Sequence, residues 1–222
     1  MIIERPNEII YPAQQRGNYE IQLADFPWPY TSFGTAKLPY QSMTEQQIAA
    51  FDITHWMAKR AVTFLWVTCP KLDIAMRCFD QWAKRYELRY LGVPFIWIKT
   101  TKEGKPIGAS GPRPSLVKPL GEFVVAYTNV KRGRALPLLT EAMPQWCHEE
   151  EMFGDPIEIL APKSRVHSRK PAIVREKISQ LFGSEARKVE LFAREVADGW
   201  DGWGNEYPGA SNDQDQHRDQ AK

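Results

Sequence analysis

Four consecutive residues, Asp25-Phe26-Pro27-Trp28, place a carboxylate, a rigid turn and a flat aromatic ring within one short loop. These groups could act on the exocyclic amine of a nucleobase, which is a poor nucleophile because its lone pair is delocalised into the ring. The Asp25 carboxylate can accept one amine hydrogen and the backbone carbonyl of Phe26 the other. Pro27 stiffens the turn, and Trp28 offers a face on which an extruded base can stack. The alternative is a purely structural turn, since Asp, Pro and aromatic residues are common at strand ends.

The segments around this loop predict strands and helices in alternation. Before it, Tyr19 to Ala24 is strand-like. After it, two overlapping capping boxes, Ser42 to Glu45 and Thr44 to Gln47, predict a helix that runs toward Arg60. The nearly continuous apolar run from Ala61 to Thr68 predicts a strand that is buried on both faces.

The clearest amphipathic pattern covers Lys71 to Tyr86, where apolar residues recur at helical spacing and indicate a core-facing helix. Strands are predicted at Glu87 to Tyr90, at Phe95 to Thr100 and at Glu122 to Asn129. Between the last two strands, Thr101 to Leu120 contains glycines, prolines and cations without periodicity. A stretch of this length inside a compact domain predicts a substrate-facing loop.

The C-terminal third predicts a helix from Ala172 to Phe182, with Pro171 in its first turn and Gly183 as its cap. A buried strand from Lys188 to Arg194 follows. Alternating strands and helices favour an α/β fold with a single Rossmann-like, doubly wound and mostly parallel sheet. Residues 1–206 are predicted to form this domain, and the polar tail 207–222 is predicted to be disordered.

In sheets of this class, ligands bind beyond the carboxyl ends of the strands. Asp25, Arg194 and the loop from Asp198 to Glu206 all lie at the carboxyl ends of predicted strands. The pattern therefore predicts that these segments meet in one site.

Composition restricts the classes of function. The 222 residues are 43% hydrophobic and 25% charged, and they contain no apolar run long enough to cross a bilayer. The N-terminus lacks the apolar stretch of a secretory signal. The three cysteines are odd in number and unpatterned, which favours free thiols in a reducing compartment and hence a cytoplasmic setting.

The net charge is only +2, but cations cluster in loop-like stretches near Lys102, Lys131 and Lys163. Basic loops on one face would attract phosphates, although a charged run is more often a solvated surface. The sequence Cys147-His148-Glu149-Glu150 lacks the spacing of a zinc site, so no metal site is predicted.

Several separated motifs coincide with one known family. The chain resembles the adenine-N6 methyltransferases typified by the messenger-RNA adenosine methyltransferase catalytic subunit, with its small bacterial and phage DNA-modifying relatives. The resemblance runs from about Tyr19 to Glu206. It rests on Asp25-Phe26-Pro27-Trp28, Leu38-Pro39-Tyr40, Phe64-Leu65-Trp66-Val67-Thr68, Trp97-Ile98-Lys99-Thr100, Glu122, His167-Ser168-Arg169-Lys170-Pro171, Glu190-Leu191-Phe192-Ala193-Arg194 and Gly202-Trp203-Gly204-Asn205-Glu206.

The resemblance implies methyl transfer from S-adenosylmethionine to adenine, on a sheet whose catalytic motif precedes the cofactor strand. It implies no metal. Asp25, the carbonyl of Phe26 and Trp28 would hold the base, with Tyr40 and Glu122 as further substrate contacts. The cofactor side would comprise Asp25, Lys170 for the methionine carboxylate, and Arg194, Asn205 and Glu206 around the ribose and adenine.

The implied partner is nucleic acid, with DNA favoured over RNA because the domain is compact and lacks accessory RNA-binding segments. The chain would act in the cytoplasm of a bacterial or phage-infected cell, alone, as a homodimer or paired with a related subunit. Phe26 stands where the family has proline, although a residue before Pro27 is still pushed toward extended angles. A catalytically silent nucleic-acid-binding subunit is the alternative of a different class.

Overall fold

The structure is a computed structural model that describes residues 18–29, 42–108, 121–137, 157–162 and 169–208. Its centre is a seven-stranded sheet with strand order β5-β3-β4-β2-β1-β6-β7. The strands are β1 (Tyr19–Ala24), β2 (Met57–Thr68), β3 (Arg89–Thr100), β4 (Gly121–Thr128), β5 (Ile157–Pro162), β6 (Lys188–Leu191) and β7 (Asp201–Trp203). The α-helices are α1 (Glu45–Ala50), α2 (Leu72–Tyr86) and α3 (Ile173–Phe182), and short 3₁₀ helices cover Ile53–Trp56 and Cys69–Lys71.

The sheet is mixed. β1 is parallel to β2 and β6, β6 is parallel to β7, and β3 is parallel to β5. β4 lies antiparallel to both of its neighbours, β2 and β3. The other strands therefore end at one edge of the sheet, called here the carboxyl edge, while β4 begins there. The α/β fold is confirmed, but the single mostly parallel sheet is matched only in part.

Apolar side chains cover both faces of the sheet, as strand alternation requires. One face packs against α1 and α2 through residues that include Phe79 and Trp82. The opposite face packs against α3 through Val174 and Ile178. The loop Asp25-Phe26-Pro27-Trp28, called here the motif loop, belongs to the first face, since Phe26 lies in that core cluster.

The helix predicted to reach Arg60 ends at Ala50. Phe51 takes extended angles, and the Asp52 carboxylate then accepts a hydrogen bond from the Thr54 amide at 3.0 Å, which caps a 3₁₀ turn. The strand that follows starts at Met57, four residues before its predicted beginning at Ala61. Of the two capping boxes, Thr44 with Gln47 is the one that forms.

The two strands predicted on either side of Gly92 are one strand, β3, with irregular pairing around that residue. Gly92 has a φ of 112°, which a residue with a side chain rarely adopts, so the strand bends there without ending. The end of the predicted loop after Thr100 lies outside the described residues. Its beginning is a tight turn, closed by a bridge between Thr100 and Pro106.

The strands β5 and β7 are missing from the predicted set. β5 pairs in parallel with the second half of β3, and β7 pairs with β6 over three residues. Among the described helices, none is long and apolar enough to cross a membrane.

Candidate functional site

The loop after β1 has a defined backbone. The Trp28 amide donates to the Phe26 carbonyl at 2.8 Å, which closes a three-residue turn around Pro27. The Met43 amide donates to the Pro27 carbonyl at 2.9 Å and ties the turn to the segment before α1. A carbonyl oxygen has two lone pairs, so the Phe26 carbonyl retains one for a second donor.

The side chain of Phe26 is a core group. It is 2% exposed, and its ring lies 4.7 Å from that of Phe192, 5.2 Å from Trp82 and 5.3 Å from Phe51. Phe51 and Phe192 also contact Trp203. One aromatic cluster therefore joins the motif loop, helix α2 and the segments that follow β6.

Trp28 is buried as well, at 2% exposure, and packs against Phe26 and Phe79 with ring centroids 6.1 and 6.3 Å away. Its indole Nε1 has no hydrogen-bond partner among the described residues. In this conformation the ring lies within the core and presents no open face. Stacking of a base on Trp28 stays a prediction that requires this loop to rearrange.

Four charged side chains meet where β1, β3 and β4 reach the carboxyl edge. Lys170 Nζ lies 3.1 Å from Asp25 Oδ1 and 2.9 Å from Glu122 Oε2. Lys99 Nζ lies 2.5 Å from Glu122 Oε1. The Lys170 ammonium also lies 5.6 Å from the centre of the Trp66 ring, within range of a cation–π contact. We call this set the ion cluster.

Asp25, Glu122 and Lys170 have shifted pKa values. Burial raises the pKa of Asp25, and Lys170 offsets this only in part while Glu122 adds to it. Burial acts in the same direction on Glu122, but Lys170 and Lys99 outweigh it and lower the pKa of that carboxyl. Burial would lower the pKa of Lys170, yet attraction to Asp25 and Glu122 raises it. Asp25 is therefore the more basic of the two carboxylates.

The segment after β6 forms the other side of the site. Phe192 has a φ of 62°, so the chain turns sharply as the strand ends. Gly204 lies against it, because a Cβ at Gly204 would stand 2.8 Å from the Phe192 Cα. Arg194 Nε pairs with Glu206 Oε2 at 3.0 Å, and Asn205 is exposed beside it.

A second network of ion pairs links helix α3 to β6 and to the segment that follows it. Arg175 on α3 lies 2.8 Å from the Glu190 carboxylate of β6 and also pairs with Glu195, which in turn pairs with Arg169. Burial raises the pKa of Glu190, against the pull of Arg175. Arg169 precedes Lys170 in the chain, so this network sets the position of the ion cluster.

A narrow pocket lies between the two networks, and its free volume of about 20 Å³ is room for roughly one water molecule. A nucleoside-sized ligand would therefore require side chains to move, and the Arg169–Glu195 and Arg194–Glu206 pairs are the partly exposed ion pairs at this pocket. The pocket is lined by Asp25, Arg169, Lys170, Arg175, Glu190, Phe192, Arg194 and Glu195.

The structure thus brings together most of the residues singled out from the sequence. Asp25, Lys170 and Arg194 line one pocket, and Glu122 is bound to Lys170. Tyr40 lies outside the described residues, as does Cys147-His148-Glu149-Glu150. Within the described ranges, no group of His, Cys, Asp and Glu could hold a metal ion.

The predicted set lacks Lys99 and the network around Arg175. Lys99 ends a strand-like run, which marks it as a group at the carboxyl edge. Its pairing with Glu122 depends on the antiparallel register, in which Trp97 faces Glu122, and the sequence carries no direct signal of that register. Arg175 and Glu190 are 15 positions apart, so their contact follows from the packing of α3 under β6.

Comparison with known proteins finds a family model and relatives that cover most of the chain. A family model described as MT-A70 matches residues 19–206. The type II methyltransferase M.MunI of Mycoplasma sp is 24% identical over 224 aligned residues, which cover 91% of this chain and 84% of that protein. The N6-methyladenosine RNA methyltransferase MTA1 of Pyricularia oryzae is 26% identical over 202 residues, which cover 87% of this chain and 48% of that protein.

Proposed function

Because this chain belongs to the MT-A70 family, we propose that it is an S-adenosylmethionine-dependent methyltransferase that modifies the exocyclic amine of adenine in DNA. The observation that carries the proposal is the position of Asp25. Its carboxylate lies at the carboxyl edge, 3.1 Å from Lys170, and lines the same pocket as Arg194. An acceptor for the amine and groups suited to a charged cofactor therefore share one site.

Two oxygens of the motif loop would hold the target amine. The Asp25 carboxylate accepts one hydrogen and the free lone pair of the Phe26 carbonyl accepts the other, which points the nitrogen lone pair away from both. Orientation of this kind contributes more than basicity does. When the new N–C bond has formed and the bond from the methyl group to the sulfonium sulfur has broken, which leaves a neutral thioether, the amine is cationic and strongly acidic, and it loses a proton. Asp25 can take that proton, helped by its raised pKa.

The pocket has the chemistry that the cofactor requires. S-adenosylmethionine supplies an electrophilic methyl group on a sulfonium. Lys170 would bind its carboxylate, Arg194 with Glu206 and Asn205 would bind the ribose and adenine, and Phe192 offers an apolar wall. Since Lys170 already contacts Asp25 and Glu122, a cofactor carboxylate would have to compete with these two groups.

DNA is the proposed substrate because the match to the type II methyltransferase covers most of both chains, whereas that to the RNA methyltransferase covers less than half of the relative. RNA is the second candidate, and the N6-methyladenosine product named for that relative supports the choice of adenine. A silent subunit is disfavoured because Asp25 and Lys170 are retained and in contact.

The test is transfer of label from radioactive S-adenosylmethionine to duplex DNA, single-stranded DNA or RNA, with cytosine-only strands as a control. We expect label in adenine-containing DNA above all. Label in RNA alone would replace DNA by RNA, and label in cytosine-only strands would overturn the adenine assignment. Cofactor binding without transfer to any substrate would identify a silent subunit.

Glu122→Gln is expected to shift the acid limb of the profile of kcat/KM against pH to lower pH. The charge of Glu122 raises the pKa of Asp25, and ionised Asp25 is the active form, so removal of that charge lets Asp25 ionise at lower pH. In the unmodified protein the limb lies above the ordinary carboxyl value, since the pKa of Asp25 is raised. Initial rates over a pH series measure the position of the acid limb in the unmodified protein and its shift in Glu122→Gln.

The matched control for this shift is Glu103→Gln, which removes an exposed carboxylate from the turn after β3. It should leave the acid limb in place. An acid limb that moves upward in Glu122→Gln, or that does not move, would contradict the assignment of Asp25 as the titrating group.

A further inference from the structure

The antiparallel strand β4 connects the two ends of the sheet. It begins beside the site, where Glu122 faces Thr68, and it ends where Thr128 faces Val62 and Arg89. The seven residues from Glu122 to Thr128 span roughly 20 Å at the rise of an extended strand. Basic residues that follow β4 therefore lie at the opposite edge from Asp25, whereas Lys102 and Lys105, which follow β3, lie at the same edge as Asp25.

The turn after β4 is held in a fixed shape. Arg89 donates to the carbonyls of Val130 at 2.9 Å and Gly133 at 2.6 Å, and Arg60 donates to the carbonyl of Arg134 at 2.8 Å. The side chain of Asn129 binds the backbone of β2 on its other side. Arginine donors thus satisfy the outward-facing carbonyls of the turn, and cationic side chains remain at its surface.

Cations are concentrated at this edge. The set, which we call the basic surface, is Lys59, Arg60, Arg89, Lys131, Arg132 and Arg134, and all but the half-buried Arg89 are exposed. Among the described residues, one carboxylate is ion-paired to it, that of Glu87, at 2.5 Å from Lys131. The summed formal charge of these six cations and one carboxylate exceeds the net charge of +2 of the entire chain. The rest of the chain therefore carries a net negative charge.

We propose that the basic surface is a second contact for the phosphate backbone of DNA, separate from the site where the base is modified. This inference rests on the proposed function and adds to it a requirement for substrate length. Such a surface contributes affinity without sequence information, through release of counterions. Because it lies about 20 Å from Glu122 along the strands, and base pairs rise 3.4 Å each, a duplex that runs parallel to the strands must extend about six base pairs beyond the target adenine to reach it.

Two cations at the carboxyl edge serve as a control for Arg132 and Arg134. Lys102 and Lys105 lie on the turn after β3, which is fixed by hydrogen bonds from the Thr101 amide to the Lys105 carbonyl at 2.8 Å and from the Ile107 amide to the Lys99 carbonyl at 2.8 Å. Both lysines are exposed. They carry the same charge as Arg132 and Arg134 but lie at the same edge as Asp25, so they separate a contact near the site from a distant one.

The experiment measures affinity for two fluorescent duplexes of mixed sequence over a range of salt concentrations. One duplex has about 30 base pairs, and the other is closed by a hairpin and has about 5, which at 3.4 Å per base pair is too few to span both edges. The proteins compared are the unmodified chain, Arg132→Gln/Arg134→Gln and Lys102→Gln/Lys105→Gln. Neither double variant removes a donor that shapes its turn, so each should fold, which thermal unfolding checks.

We expect Arg132→Gln/Arg134→Gln to reduce the slope of log affinity against log salt by about two on the long duplex, with a loss of affinity of about tenfold, and to leave the short duplex unaffected. Lys102→Gln/Lys105→Gln should weaken binding of both lengths. An unchanged slope on the long duplex, or equal losses on both lengths, would overturn the proposal. So would a change from dimer to monomer in sedimentation, which would identify a second copy of the chain as the partner of this surface.

Methyl transfer by the unmodified chain, measured in parallel on the long duplex, keeps the two proposals distinguishable. Transfer without an effect of Arg132→Gln/Arg134→Gln on the salt slope means that the basic surface fails and the enzyme assignment stands. A reduced salt slope without methyl transfer to any nucleic acid means that the basic surface binds DNA and that the enzyme assignment fails.

Discussion

Asp25→Asn is expected to lower kcat for methyl transfer by about 10²- to 10⁴-fold, the range in which a positioned proton acceptor contributes. Asparagine has the shape of aspartate and can still accept one hydrogen bond, but it cannot take the proton that the methylated amine releases. The side-chain amide nitrogen of asparagine can also face the target amine. Since both groups are hydrogen-bond donors, this contact would misalign the amine. Because the substitution preserves volume, the loss should appear in kcat and not in the fraction of folded protein.

The same substitution should leave the free energy of unfolding at neutral pH unchanged or higher. Burial makes the pKa of Asp25 higher in the folded chain than in the unfolded one. An acid with this shift costs stability as pH rises through its unfolded and then its folded pKa, so at neutral pH its ionised form is a net cost. Asparagine removes that charge. Where function requires a buried charge, a protein is commonly less stable than its variant with a neutral residue at that position.

Glu122→Gln is expected to change the free energy of unfolding at neutral pH in the opposite direction, and so to lower it. The pKa of Glu122 is lowered in the folded chain because Lys170 and Lys99 outweigh its burial. Its contribution to stability is therefore present above the unfolded pKa and is lost as pH falls through the folded one. Urea unfolding of both variants at pH 7 measures the contrast. A strong destabilisation by Asp25→Asn, or kcat within a few-fold of the unmodified value, would show that Asp25 is a structural partner of Lys170.

The local elements of the site could be predicted from the sequence because each has a local cause. The helix α2 has an apolar stripe at helical spacing, β2 is a continuous apolar run, and Gly183 ends α3 as its C-cap. The motif residue Asp25 stands directly after β1, which places it at the carboxyl edge whatever the rest of the sheet does. The family resemblance rests in part on the motif after β1 and on the second half of β2, and the match over residues 19–206 confirms the resemblance.

Strand pairing over long range could not be predicted, and it decides which charges meet. The direction of β4 brings Glu122 to the site and carries Arg132 away from it, yet alternation of apolar residues is the same for a parallel and an antiparallel strand. β5 and β7 are short edge strands, defined by their neighbours β3 and β6 more than by their own sequence. Burial of Trp28 could not be predicted either, since a tryptophan at a strand end suits a core and a stacking surface equally well.

Phe26→Ala is expected to lower the free energy of unfolding by about 3–5 kcal/mol, the range for removal of a buried phenyl ring. The ring is 2% exposed and contacts Phe192, Trp82 and Phe51, so little around it can close the cavity. Phe26→Pro restores the residue that the family has at this position. It should still destabilise, by about 2–4 kcal/mol, because the gain from a stiffer unfolded chain is below about 1 kcal/mol.

The position of the ring predicts an effect on the reaction that is separate from stability. Phe26 links the motif loop, which we propose binds the target amine, to Phe192. Gly204 lies against Phe192 in the turn before Asn205 and Glu206. Loss of the ring should therefore raise KM for S-adenosylmethionine several-fold, while kcat per folded molecule stays within about tenfold because the Phe26 carbonyl is present in every variant. Phe26→Leu, which retains most of the volume, should restore KM and most of the stability. Denaturant unfolding and steady-state kinetics below the unfolding range measure both effects. If Phe26→Pro proved more stable than the unmodified chain, the backbone angle and not the aromatic packing would be what this position contributes.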